Sequence, residues 1–74
     1  MNFVVCVSRE DCGDISTDDL TIGRLYEVMG AADKHGMLRL IDDSGEDFLY
    51  PSALFETVEV RQDTAARLHQ LIAA

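Results

Sequence analysis

Three short runs in which apolar and polar residues alternate, Arg24 to Met29, Met37 to Ile41 and Glu46 to Tyr50, follow one another between Leu20 and Val60. A period of two puts successive side chains on opposite faces of a strand. Each run therefore has one apolar side to hide: Tyr26 and Val28 in the first, Leu38 and Leu40 in the second, Phe48 and Tyr50 in the third. The first two runs are linked by the turn-rich segment Gly30 to Gly36, and the second and third by Asp42-Asp43-Ser44-Gly45. That second link is a tight-turn signature, Gly45 supplying the positive φ such turns need. The three runs make an antiparallel meander, and with their flanks they specify a small β-barrel.

Phe3 to Val7 is an apolar, β-branched run and reads as the first strand. Ser8 to Asp19 collects Ser, Asp, Gly and Thr around a lone aliphatic, Ile15, and reads as a long loop. Pro51 ends the third run of the meander because it has no N–H for a ladder. Pro51 to Leu54 is the length of one 3₁₀ turn, and Phe55 to Arg61, with Val58 and Val60 alternating against Glu59 and Arg61, supplies the last strand. Strands are thus expected near 3–7, 24–30, 37–42, 46–50 and 55–61, around a core of Tyr26, Val28, Leu38, Leu40, Phe48 and Phe55. From Asp63 the period changes: Asp63 can cap a helix over 63–73, and Ala65, Leu68, Leu71 and Ile72 fall on one helical stripe. A helix this short is marginal in water alone, so its stripe must pack on the barrel or on a second copy of the chain.

The pattern Leu20-Thr21-x-Gly23-Arg24-x-Tyr26-Glu27-Val28, a hairpin turned on Asp42-Asp43-x-Gly45, and Tyr50-Pro51-x-x-Leu54-Phe55 resembles the small SH3-like barrel proteins common in bacterial and prophage-borne genes. The resemblance covers 20–61 and implies a mainly β fold: a small SH3-like antiparallel barrel, followed here by a short C-terminal α-helix. Such proteins are mostly uncharacterised, so the resemblance supplies a fold more than a function. The segments before Leu20 and after Arg61 lie outside it.

At 74 residues the chain is one domain with a marginal core, and a deep enzyme pocket would remove much of that core. There are 14 acidic and 6 basic residues, a formal net charge of −8, and the cations are Lys34 and five scattered Arg. Direct nucleic-acid binding relies on clustered cations and is disfavoured. The acids gather in two clusters: Glu10, Asp11, Asp14, Asp18 and Asp19 before the barrel pattern, and Asp42, Asp43, Glu46 and Asp47 at its central turn. They are either a solubilising surface or a face aimed at a basic partner, as in a mimic of nucleic-acid phosphate.

Nothing approaches the length of a membrane span, and Met1 to Val7 lacks the pattern of a secretion signal. A soluble, cytoplasmic protein is expected, in which Cys6 and Cys12 are thiols rather than a disulfide. Their spacing from each other and from His35 and His69 matches no zinc site. Asp42-x-Ser44-x-Glu46 lacks the spacing of a calcium loop, and neither His has a neighbour in sequence that would make it a catalytic base. No metal, cofactor or enzymatic activity is expected, and both histidines read as exposed.

Met29, Met37, Ile41 and Leu49 alternate out of phase with the core positions, so several large apolar side chains face away from the barrel interior. A monomer seldom exposes such a set together. Either the C-terminal helix covers them, or they form a contact surface for another protein or a second copy, with Asp42, Asp43, Glu46 and Asp47 as an acidic rim. The expected function is a non-enzymatic protein-interaction module. The alternative is an acidic inhibitor or nucleic-acid mimic occupying a basic groove on a DNA-binding or nuclease partner.

Overall fold

Alternating runs become strands where one side of each can be buried, and the computed structural model, which describes residues 2–10, 16–30 and 36–73, follows that rule closely. In chain order the elements are β1 (Asn2–Cys6), β2 (Leu25–Val28), β3 (Met37–Ile41), β4 (Asp47–Pro51), a 3₁₀ turn (Ser52–Leu54), β5 (Phe55–Val58) and α1 (Gln62–Ala73). The strands form one antiparallel sheet in the order β4-β3-β2-β1-β5. The sheet is not closed, and β4 and β5 are its edges. The last strand is shorter than the alternation suggests, Glu59 and Val60 lying beyond it. The expected loop positions Asp11, Cys12, Asp14 and Ile15, and Lys34 and His35 of the β2–β3 connection, lie outside the described residues.

Register fixes which residues share a face. Val4 pairs with Tyr26, Cys6 with Phe55, Val28 with Leu40, and Leu38 with Tyr50. Residues directly opposite in an antiparallel pair point the same way, so these side chains form the inner face, joined by Leu20 and Leu54. The phenyl ring of Phe55 meets the rings of Tyr26 and Tyr50 edge-on, at centroid distances of 6.2 and 6.4 Å. Cys6 is a buried free thiol whose Sγ donates to the Ser8 carbonyl at 3.2 Å.

The opposite face carries Phe3, in register with Glu27 and Val58. Phe3 and Glu27 are both buried, and α1 lies against β2. The stripe that α1 turns inward differs from an apolar-only reading. Ala65 is buried and Leu68 and Ile72 are half-buried, but Leu71 is exposed. His69 takes its place, with Nδ1 2.7 and 2.8 Å from the two carboxylate oxygens of Glu27. Ala65, Leu68, His69 and Ile72 follow the i, i+3, i+4, i+7 spacing of one helix face. His69 is thus not a simply exposed side chain. The expected cap is also displaced: Asp63 lies inside the first turn, beside Arg61 at 3.7 Å, where a carboxylate still favours the helix dipole.

Phe48 is the main departure in the core. It pairs with Leu40 on the inner phase, yet it is 48% exposed while Leu40 is fully buried. Two causes act together: β4 is an edge, and at this level of the sheet the inner side is taken by Asp42, which is 5% exposed and accepts the Tyr50 hydroxyl at 2.7 Å.

Candidate interaction surface

Two buried phenols organise the central turn. A tyrosine taken from water needs a partner for its hydroxyl, and the Asp-Asp pair supplies both. Asp42 accepts from Tyr50 through Oδ2 and from the Ser44 backbone through Oδ1 at 2.9 Å, which folds the turn back on itself. Asp43 accepts from Tyr26 at 2.8 Å and from the Thr21 hydroxyl at 2.7 Å, and lies 3.2 Å from the Arg24 guanidinium. Its backbone N–H donates to the Asp19 carbonyl at 2.8 Å. Burial, then the adjacent Asp42 carboxylate, pushes the Tyr50 phenol well above its ordinary value. Burial is also the main cause that raises Tyr26.

These ties have a topological reason. β2 and β3 share the register pair Val28–Leu40, followed by a bond from the Met29 N–H to the Arg39 carbonyl at 2.7 Å. In the other direction, toward the start of β2 and the end of β3, the strands part, and the opening is lined by Leu25, Ile41, Asp43, Ser44, Leu71 and Ile72 among others. Asp43 stitches this gap to the loop before β2. Asp42 and Asp43, expected as rim charges, are therefore internal anchors: Asp42 because it is buried and accepts from Tyr50, Asp43 because the hydroxyls of Tyr26 and Thr21 and the charge of Arg24 converge on it. Glu46 and Asp47 remain exposed at the surface. Asp47 pairs with Arg39 at 2.9 Å, and that guanidinium holds its carboxyl below the usual value.

The apolar positions out of phase with the core also separate. Met37, Ile41 and Leu49 do occupy the outer phase of β3 and β4, but Met37 and Ile41 are half-buried, Ile41 lining the opening beside the end of α1. Met29 and Leu49 are exposed, at 45% and 40%. Arg39 stands between them, bonded through its carbonyl to Met29 and opposite Leu49 in register, so the four do not make one continuous patch.

A different surface is assembled instead. Phe48 and Leu49, on opposite sides of edge strand β4, line a shallow groove of about 240 Å³ with Ser16, Asp19, Asp42 and Tyr50. Its floor is apolar with one buried carboxylate, and Asp19 is the exposed acid beside it. Sequence reading missed Phe48 here because alternation assigns a face, not the depth at which an edge residue sits. Among the described residues no three His, Cys, Asp or Glu side chains are grouped as metal ligands, and no helix is long and apolar enough to cross a membrane. Comparison with protein-family models, curated proteins and solved structures gave no match.

Proposed function

We propose that this chain is a small acidic SH3-like barrel that works by protein–protein contact rather than by catalysis, and that the contact is made on and around β4. The strand order β4-β3-β2-β1-β5, with a 3₁₀ turn between β4 and β5, supports the SH3-like reading. The observation that carries the function is the exposure of Phe48 and Leu49 side by side on an edge strand. Exposed apolar groups flanked by polar ones mark contact sites, and burying each of these side chains would contribute about 1.5–3 kcal/mol to a complex. The polar groups with the most connected geometry, Asp42, Asp43, Glu27 and His69, tie elements of the fold together, whereas Phe48 and Leu49 are adjacent exposed apolar residues at a sheet edge. The same ties weaken the phosphate-mimic alternative, because two of the four carboxylates at the central turn face inward partners.

The test is affinity capture from the cells that express the protein, comparing the parent chain with a Phe48→Ser/Leu49→Ser variant whose circular dichroism matches the parent. Partners held by the parent and lost from the variant are expected. Identical capture by both would place the contact elsewhere and reject this reading.

A further inference from the structure

The backbone of β4 carries more information than its side chains. Asp42 N–H donates to the Glu46 carbonyl at 3.0 Å, and Ser52 N–H to the Gly36 carbonyl at 2.9 Å. These identify 42–46 and 36–52 as hydrogen-bonded pairs at the two ends of the β3–β4 ladder. Such pairs alternate with non-bonded ones along an antiparallel ladder. Leu40–Phe48 and Leu38–Tyr50 therefore bond to each other, while Asp47, Leu49 and Pro51 turn their backbone groups away from β3. The other side of β3 agrees: the Arg39 carbonyl accepts from Met29, the residue after β2, so it does not point toward Leu49. Pro51, which has no N–H, sits in the phase where β3 requires none.

The N–H of Leu49 and the carbonyls of Asp47, Leu49 and Pro51 thus line an open edge that no backbone hydrogen bond reaches among the described residues, while the Asp47 N–H faces the same way and is engaged by its own carboxylate. Edge strands are templates for pairing unless they are blocked. Here Phe48 flanks the edge on the inner side, with Leu49 and Asp47 on the outer side, so an added strand would bury apolar surface against Phe48 and set its other face beside Asp47. The charges near the edge are predominantly acidic: Asp19 lines the inner groove, Glu46 precedes the strand, and Asp47 lies on the outer phase, where Arg39 is its one cationic neighbour among the described residues.

Resting on the reading of the chain as a protein-contact module, we propose that β4 accepts an added β-strand from a partner protein, an extended segment in which apolar and basic residues alternate. Main-chain bonds at Leu49 hold the segment, its apolar residues cover Phe48 on the inner face, and its basic residues meet Asp47 on the outer face. This is strand addition to a sheet edge, where backbone bonds give affinity and alternate side chains give specificity. A second copy is a poorer occupant, because it would bring together two chains that each carry a net charge of −8.

The probe is a peptide of about six residues, the common strand length, alternating valine and lysine and N-methylated on one edge to prevent self-association. A valine–glutamate peptide of the same design is the control. Binding of the lysine peptide should shift the amide resonances of Asp47 and Leu49 and slow exchange of the Leu49 N–H, with the glutamate peptide binding at least about tenfold more weakly. Leu49→Pro removes an edge donor in the phase that Pro51 already tolerates, whereas Leu49→Ala removes the side chain and keeps the donor. Leu49→Pro should bind about tenfold more weakly than Leu49→Ala. Equal binding by the two variants would overturn strand addition while leaving side-chain contact intact. No binding of either peptide, equal binding of both, or concentration-dependent dimerisation through β4 would overturn the proposed occupant. Loss of capture with Phe48→Ser/Leu49→Ser decides the underlying reading separately.

Discussion

Replacing His69 by Ala should destabilise the protein by about 2 kcal/mol, although the imidazole is half exposed. The Glu27 side chain is 9% exposed, and His69 Nδ1, within 2.8 Å of both its oxygens, is its one side-chain partner among the described residues. An ionised carboxylate can only accept, so removing the ring leaves an unpaired charge beside Phe3 under α1. Breaking a fully buried pair costs about 3–5 kcal/mol. Here water reaches the imidazole side, with that ring 50% exposed, and rehydrates part of the carboxylate, so the loss falls toward the 1–3 kcal/mol of an unmade buried hydrogen bond. In urea, with a slope of about 1 kcal/mol per molar for so small a domain, the midpoint should drop by about 2 M. Circular dichroism follows the transition, and tyrosine fluorescence gives a second probe undisturbed by Trp, which the chain lacks. Glu27→Leu/His69→Leu, which removes both polar partners, should return to within about 1 kcal/mol of the parent. If His69→Ala unfolds within about 0.3 kcal/mol of the parent, the contact is an ordinary surface pair and the account of how α1 is held is wrong.

Tyr50→Phe keeps the ring packed on Phe55 but removes the donor to Asp42, and should cost about 1.5–3 kcal/mol by chemical denaturation, as for a hydrogen bond to a charged group. Phe48→Ala should cost only about 1 kcal/mol, because a half-exposed ring gives up roughly half the burial energy of a core aromatic; a loss of about 3–5 kcal/mol would show that it is a core residue after all. Alkali should unfold the protein together with phenol ionisation. Tyr26 and Tyr50 are both raised by burial, so the folded state retains protons that the unfolded chain releases near pH 10. Their contribution is complete below that value and is lost as pH climbs through the folded-state values. A phenolate absorbance change that precedes the loss of circular dichroism would contradict it.

The strands were legible because alternation and turn chemistry agree at each junction: Gly45 has φ 85° at the hairpin, and Pro51 lies at the end of β4. The helix was legible from its period, but its inward face was not. Counting only apolar residues selects Leu71, whereas the face is completed by His69 because Glu27, forty-two residues earlier, waits on β2. The roles of Asp42 and Asp43 had a signal that charge counting hid: two tyrosines placed in the core need acceptors, and an Asp-Asp turn beside them provides both. Phe48 and Leu20 show the limit of periodicity. Leu20 lies in the loop between β1 and β2 yet is buried, and Phe48 has the inner phase yet is exposed, because burial at an edge or a loop depends on what the rest of the chain lays over it.

Hydrogen exchange on the protein in complex with a captured partner, compared with the free protein, tests the contact surface most directly. Protection should concentrate on Asp47, Phe48, Leu49 and Tyr50, with the Leu49 amide slowed most and α1 unchanged. Protection confined to α1 or to Phe55–Val58 on the opposite edge, with β4 exchanging as in the free protein, would contradict the account.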